Sequence, residues 1–249
     1  MPLLKTKAVI LRSHRWGDAD RIVTFFSLQF GKIRGVARGA RRLKSRYSGV
    51  LEPFGVVELT LFQKTPEALG SISQIDLLSS FSAIREDLGV MTAAARMVRI
   101  VEAITVDRDP NHQMFWALVQ SLEMLGPGSD LPLTALLFQI HVLGHTGFNP
   151  QIGQCTECGK PIVEDPLWFS PRLGGIVCTG CGRNGIGRII PLSKGSAAFM
   201  EQARRLPVSC LPRLRAVGKI RVEVTEAIES YFETVVGKSL PGFDSWASS

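Results

Sequence analysis

The chain has 249 residues, 45% of them apolar, and a formal net charge of +7. That length suits one large domain or two to three smaller ones with substantial cores, and no internal repeat or low-complexity segment interrupts it. Residues 1–80 carry 13 basic against 6 acidic residues, whereas 81–150 is net −3 and 151–249 net +3, so the positive excess is largely N-terminal and points to a polyanion: DNA, RNA or anionic lipid.

The first apolar run, Ala8 to Leu11, is shorter than the core of a secretory leader, which predicts a cytoplasmic protein with reduced thiols. Residues 4 to 75 read as short β segments divided by turn chemistry: Leu4–Arg12, Arg21–Leu28, Gly31–Arg38, Gly55–Phe62 and Leu69–Ile75. Five strands in a domain of that size suggest a small closed barrel of the OB type, which commonly binds oligonucleotides. An SH3-like barrel would look nearly the same.

After Ser79-Ser80 the period becomes helical. A first helix starts near Ser82, with Leu88, Met91, Ala95, Val98, Val101 and Ile104 as its core stripe. A second, Gln113–Leu125, stops at Gly126-Pro127-Gly128, and a third, Leu133–Leu143, stops near Gly144 and Gly147. Leu131 to Thr156 contains no Asp, Glu, Lys or Arg, but Gln139, His141, His145, Asn149, Pro132 and Pro150 predict a buried helix rather than a membrane span. Helical signals return at Ser193, a cap for Gly195–Leu206, and at Leu211–Leu240, with Leu214, Val217, Ile220, Val224, Ile228 and Phe232 in register.

Between the helical stretches Cys155, Cys158, Cys178 and Cys181 form two Cys-x-x-Cys knuckles separated by nineteen residues, the spacing of a structural zinc ribbon. Gly159 and Gly182 follow the knuckles and permit tight turns toward one ion. Four thiolates close the coordination shell and leave no position for a reactive water, so the zinc is expected to hold a fold. The expected fold is multidomain, β plus α: an OB-fold barrel over 1–80, then a helical domain in two halves, 81–150 and 191–249, carrying a zinc ribbon inserted at 151–190. Cys210 stands alone and reads as a small buried hydrophobe.

Lys32, Arg34, Arg38, Arg41, Arg42, Lys44 and Arg46 place seven cations within fifteen residues, and no carboxylate occurs between Arg21 and Glu52. Such a run gains affinity from a phosphate backbone by counterion release; the alternative is a solvated loop. Gly31, Gly35 and Gly39 interleave with it and are placed for close backbone approach to phosphates. Most nearby aromatics are expected in the core, while Trp16 and Tyr47 are expected to be exposed for base stacking.

A second cationic set, Arg204, Arg205, Arg213, Arg215, Lys219 and Arg221, has Glu223, Glu226, Glu229 and Glu233 nearby for helix-surface pairing, with DNA contact as the other reading. His141 and His145 lack a third ligand and a protease glutamate, so a core or capping role is expected. The chain contains no Walker loop, no Gly-x-Ser-x-Gly elbow and no zinc-deaminase signature, and no catalytic residue is assigned. A zinc-dependent nucleic-acid enzyme and a protein-binding scaffold are the alternatives to a nucleic-acid binder.

The segments Leu11-Arg12-Ser13-His14-Arg15-Trp16-Gly17-Asp18-Ala19-Asp20, Phe30-Gly31-Lys32-Ile33-Arg34-Gly35-Val36-Ala37-Arg38-Gly39-Ala40-Arg41-Arg42, Lys44-Ser45 and Leu51-Glu52-Pro53-Phe54 resemble the RecO family of DNA-repair recombination mediators. The order of barrel, helices and four-cysteine insertion is similar too. The resemblance implies an ATP-independent protein, cytoplasmic and nucleoid-associated, that binds single- and double-stranded DNA and anneals strands. It also implies action with RecR to load RecA onto DNA coated by single-strand-binding protein.

Overall fold

The computed structural model describes residues 3–65, 68–162, 166–182 and 187–239, and it divides into two compact units, 1–128 and 129–249. In the first, strands β1 (Leu3–Trp16), β2 (Asp20–Ser27), β3 (Gly31–Ala37), β4 (Val56–Phe62) and β5 (Gly70–Ser79) close into a barrel in the order β1-β2-β3-β5-β4. Every neighbouring pair is antiparallel except β3 with β5, which run parallel and meet at Gly35↔Gly70 and Val36↔Ser71. This is a closed, five-stranded OB-like barrel.

Alternation along the strands sends Ala8, Ile10, Val23, Phe25, Ile33, Val57, Leu59, Leu61 and Ile72 into one core. β1 pairs with β4 through Leu3–Val9 and with β2 through Ala8–Trp16, its register slipping between Ile10 and Arg12; such a bulge bends a strand around a barrel corner. The polar stretch Ser13-His14-Arg15 stays extended because β2 supplies its ladder partners, which is why β1 outruns the expected end at Arg12.

Among the described residues three helices complete this unit: α1 (Ala83–Glu86), α2 (Leu88–Ile104) and α3 (His112–Glu123). The single helix expected from Ser82 is interrupted at Asp87, whose side chain accepts from the Val90 N–H at 2.9 Å and caps α2. α2 buries Val90, Ala93, Ala94, Met97, Val98, Ile100 and Val101, while Leu88 is exposed and Met91 and Ala95 are half-buried. The expected stripe is therefore rotated, since α2 offers two overlapping apolar arcs and packing selects one. Asn111 caps α3 by accepting from Met114 N at 2.9 Å. Phe115 of α3 lies 6.4 Å from Phe26 of β2, centroid to centroid, so β2 is buried on both faces. Compactness groups α2 and α3 with the barrel and places the division at Gly126-Pro127-Gly128.

The second unit holds α4 (Leu131–His145), β6 (Leu167–Ser170), β7 (Gly175–Val177), α5 (Thr179–Gly182), β8 (Ile190–Leu192), α6 (Lys194–Arg205) and α7 (Gly218–Val236). The strands form a sheet in the order β7-β6-β8. α4 is buried almost all round and packs against α6 and α7. Among the described residues no helix is long and apolar enough to cross a membrane.

Ser193 caps α6 by accepting from Ser196 N at 3.3 Å, as its position predicts. The helix expected over Leu211–Leu240 is instead a 3-10 segment, Val208–Arg213, followed by α7. Between them Leu214 and Ala216 are buried while Arg215 and Val217 are exposed, a period of two that belongs to extended chain. Gly237, at φ 72°, ends α7; Leu240 lies outside the described residues.

Candidate nucleic-acid interface and candidate metal centre

The segment joining β3 to β4 carries most of the basic run, and it is fastened at both ends. Tyr47 and Leu51 sink into the barrel core, where the Tyr47 hydroxyl donates to the Ile72 carbonyl at 3.1 Å. Gly39 N–H donates to Asp20 Oδ1 at 2.8 Å, and Arg41 N–H to the Ala19 carbonyl at 2.9 Å. The Arg41 guanidinium reaches the Asp18 carbonyl at 3.0 Å and the Gly17 carbonyl at 3.4 Å. The basic loop is thereby laced to the β1–β2 turn that follows Trp16, which is 55% exposed.

The seven cations do not behave alike. Arg38, Arg42 and Lys44 are exposed and, among the described residues, have no acid partner within 4.0 Å. Arg34 pairs with Asp107 at 3.2 Å. Lys32, whose side chain is 15% exposed, lies 3.6 Å from Asp107 and donates to the Glu102 and Thr105 carbonyls at 3.1 and 2.6 Å. It satisfies orphan carbonyls at the end of α2. The run without local carboxylates is thus partly neutralised by Asp107, which arrives from far along the chain.

Tyr47 corrects an expectation: it is 3% exposed, because its ring fills the barrel and Arg46 covers it at 4.8 Å from the centroid. Arg46 also donates to the Tyr47 hydroxyl at 2.7 Å and to the Ile72 carbonyl at 3.2 Å. Gly31 and Gly35 serve packing rather than ligand approach: a Cβ at Gly31 would lie 2.2 Å from the Asp109 carbonyl oxygen, and one at Gly35 2.5 Å from Leu61 Cδ1. Gly39 is in a turn at φ 70°.

Beside the loop, a cleft of about 790 Å³ is lined by Arg12, His14 and Trp16 of β1, Thr24 of β2, Lys32 and Arg34 of β3, and Leu69, Asp107 and Arg108. It combines cations, an imidazole and an indole over a strand surface. Sequence reasoning missed Arg12, which pairs with Glu102 at 3.0 Å, and it missed His14 and Arg108. The alternation Arg12, His14, Trp16 on one face of β1 was a usable signal; Arg108, far along the chain, offered none.

In the second unit the sulfurs of Cys155, Cys158, Cys178 and Cys181 all lie within 4.8 Å of one another. Cys158 Sγ and Cys178 Sγ are 3.9 Å apart, close to the roughly 3.8 Å between thiolates set tetrahedrally at bonds of about 2.3 Å. All four cysteines are free. The fit to a metal ion is chemical as well as geometric. Burial pushes the Cys155 thiol up, but the backbone N–H groups of Cys158, Cys178 and Glu157 bring it down to about 6. Cys181, hydrogen-bonded to Cys178, is pushed up to about 12, so the bare cluster resists multiple ionisation and a cation would relieve it.

Gly159, at φ 73°, makes the first knuckle turn as expected. Gly182 instead ends the short α5 with ordinary space for a Cβ, 3.6 Å from Ile189 Cδ1, so its turn does not need glycine. The second cationic set is largely paired: Arg204 and Arg205 with Glu201 at 2.7 and 2.5 Å, Lys219 with Glu223 at 3.4 Å, and Arg221 with Asp130 at 2.7 Å. His141 is buried and donates Nε2–H to the Ala203 carbonyl at 3.0 Å. Cys210 is half-buried.

An OB-like barrel with a pinned basic loop, joined to a helical unit with a four-thiol cluster, defines a multidomain barrel-and-helix protein. Two family models cover it: recombination protein O N terminal over residues 1–81 and recombination protein O C terminal over residues 85–242. A DNA repair protein RecO of Desulforamulus reducens is 31% identical over 241 residues, spanning 96% of this chain and 92% of that one. One of Anaeromyxobacter sp. is 29% identical over 243 residues, spanning 96% and 94%. Another, of Cutibacterium acnes, is 37% identical over 190 residues, spanning 73% and 75%. The chain belongs to the recombination protein O (RecO) family.

Proposed function

We propose that the chain is an ATP-independent DNA-binding and strand-annealing recombination mediator in DNA repair. It would act with RecR to load RecA on DNA coated by single-strand-binding protein, in the cytoplasm at the nucleoid. The observation that carries this reading is the pinned loop with Arg38, Arg42 and Lys44 unpaired among the described residues, beside the cleft rimmed by Trp16. A phosphate chain laid along these cations releases counterions, and Trp16 offers a π-face to an unpaired base.

Two strands held on one positive surface repel each other less, which lowers the cost of their meeting and promotes pairing with no bond made or broken. The reading therefore assigns no catalytic residue. RecR, RecA and single-strand-binding protein enter through the family relation. We assign zinc to Cys155, Cys158, Cys178 and Cys181; when bound it cross-links the knuckles and supplies no open coordination position.

Salt-titrated binding to single- and double-stranded oligonucleotides, beside an annealing assay without ATP, tests this. Replacing Arg38, Arg42 and Lys44 by Ala should weaken binding and flatten the log–log salt slope by about 0.7 for each single-strand phosphate that is no longer neutralised. Affinity and slope equal to those of the parent protein would remove DNA from this surface.

A further inference from the structure

Leu43 is the most exposed of the large apolar side chains among the described residues, fully open to water. It holds the second position of a turn closed by Ser45 N–H donating to the Arg42 carbonyl at 3.0 Å, directly after one closed by Arg42 N–H donating to the Gly39 carbonyl at 3.1 Å. Central residues of a turn point away from the body that carries it. The base beneath is fixed by Tyr47 and Leu51 in the barrel core and by Arg41 on the β1–β2 turn. A single exposed leucine is ordinary, and Leu88 and Val217 are also widely open. Leu43 differs in its flanks: Arg42 and Lys44 are exposed and without an acid partner among the described residues. This surface repels a basic partner and draws a polyanion.

We propose that Leu43 is an apolar wedge that seats between neighbouring bases of single-stranded DNA held by the basic loop and unstacks that step. The inference deepens the DNA-binding reading and rests on it. Cations beside the leucine hold the backbone, so its methyl groups meet bases rather than phosphates; leucine is among the side chains that proteins insert between base steps. Unstacking turns the Watson–Crick edges outward, where a complementary strand reaches them.

The test uses the full-length protein with a single-stranded oligonucleotide carrying 2-aminopurine, whose fluorescence rises when it leaves a stack. Titrations compare the parent protein with Leu43→Ser, Leu43→Met and Arg42→Ala. The parent should raise the fluorescence at saturation, and Leu43→Met should keep that rise. Leu43→Ser should abolish it, with affinity down about tenfold and the salt slope unchanged. Arg42→Ala should lower the slope yet keep the rise at saturation. A full rise with saturating Leu43→Ser would overturn the wedge while leaving DNA binding intact; a parent protein that binds no oligonucleotide would overturn the DNA reading itself.

Discussion

Gly35 of β3 and Gly70 of β5 stand opposite each other in the parallel pairing that closes the barrel, and the side chain of Leu61 occupies the space where each would carry a Cβ. A Cβ on Gly70 would lie 2.3 Å from Leu61 Cδ2, and one on Gly35 2.5 Å from Leu61 Cδ1. Gly70→Ala should therefore destabilise the first unit by about 1–3 kcal/mol through overpacking, read from urea midpoints. Adding Leu61→Ala should cost less than the two single effects combined, because the clash is removed. Strict additivity would show that the glycines are not held small by Leu61.

Lys32 and Arg42 lie in one basic run but should respond to different assays. Lys32→Met leaves carbonyls at the end of α2 without their donor and should cost about 1–2 kcal/mol of stability. Arg42→Ala should stay within about 0.5 kcal/mol of the parent while reducing the salt dependence of DNA binding. The reverse pattern in paired denaturation and binding titrations would contradict the division of roles.

The thiol cluster predicts one zinc per chain in purified protein. Cys158→Ser, or a strong chelator, should release it and raise hydrogen exchange around the knuckles while the barrel keeps its protection, because metal binding contributes the folding free energy of such modules. Retention of zinc by the variant would reject this ligand set.

His141 gives the second unit an acid-side weakness. Burial, then the neighbouring His145, hold its pKa below the ordinary 6.5, against the opposing bond to Ala203. The folded state is thus slower to take up the proton than the unfolded chain, so stability falls as pH drops below about 6.5, by at most about 1.4 kcal/mol per pH unit. Denaturation midpoints at pH 7.5 and 5.5 should lie closer together for His141→Gln than for the parent, with the part due to His145, also held low by burial, and loss of metal common to both proteins.

Glu223 anchors α7 to the start of α6. Its Oε2 accepts from Ser193 N–H at 2.8 Å, Ser193 Oγ at 2.8 Å and Ser196 Oγ at 2.6 Å. Burial raises its pKa, but these bonds and Lys219 leave it below the usual carboxylate value. The contribution is present above about pH 4.3 and is lost as pH falls through the lower folded value. Glu223→Gln should cost about 1–2 kcal/mol at neutral pH, measured by thermal unfolding; an unchanged midpoint would reject the anchor.

The barrel was legible because its strands alternate, and the knuckles because thiol spacing is a local signal. Tyr47 was not: a tyrosine among arginines and serines looks exposed until the chain is seen folding it under Arg46. The duties of Lys32 and Arg34 were hidden because Asp107, Glu102 and Thr105 lie some seventy residues away in sequence. α2 carries too many apolar residues for periodicity to select its buried arc. At Leu214–Val217 the apolar pair 214 and 217 fits a helical spacing, which masks the extended period that buries Leu214 and Ala216 instead. Glu223 looked like one more surface glutamate, and only the start of α6 gives it a task.

β3 meets β5 only at Gly35 and Val36, and the edge it leaves is covered in part from outside the barrel: Lys32 bridges to Asp107, Arg108 N–H donates to the Lys32 carbonyl at 3.0 Å, and Phe115 shields Phe26. A chain cut after residue 80, where the two family models nearly meet, would lose that plug and expose the outer aromatic surface of β2. A fragment ending near Gly128, where the chain divides into its two compact units, keeps that plug, and truncation should begin there.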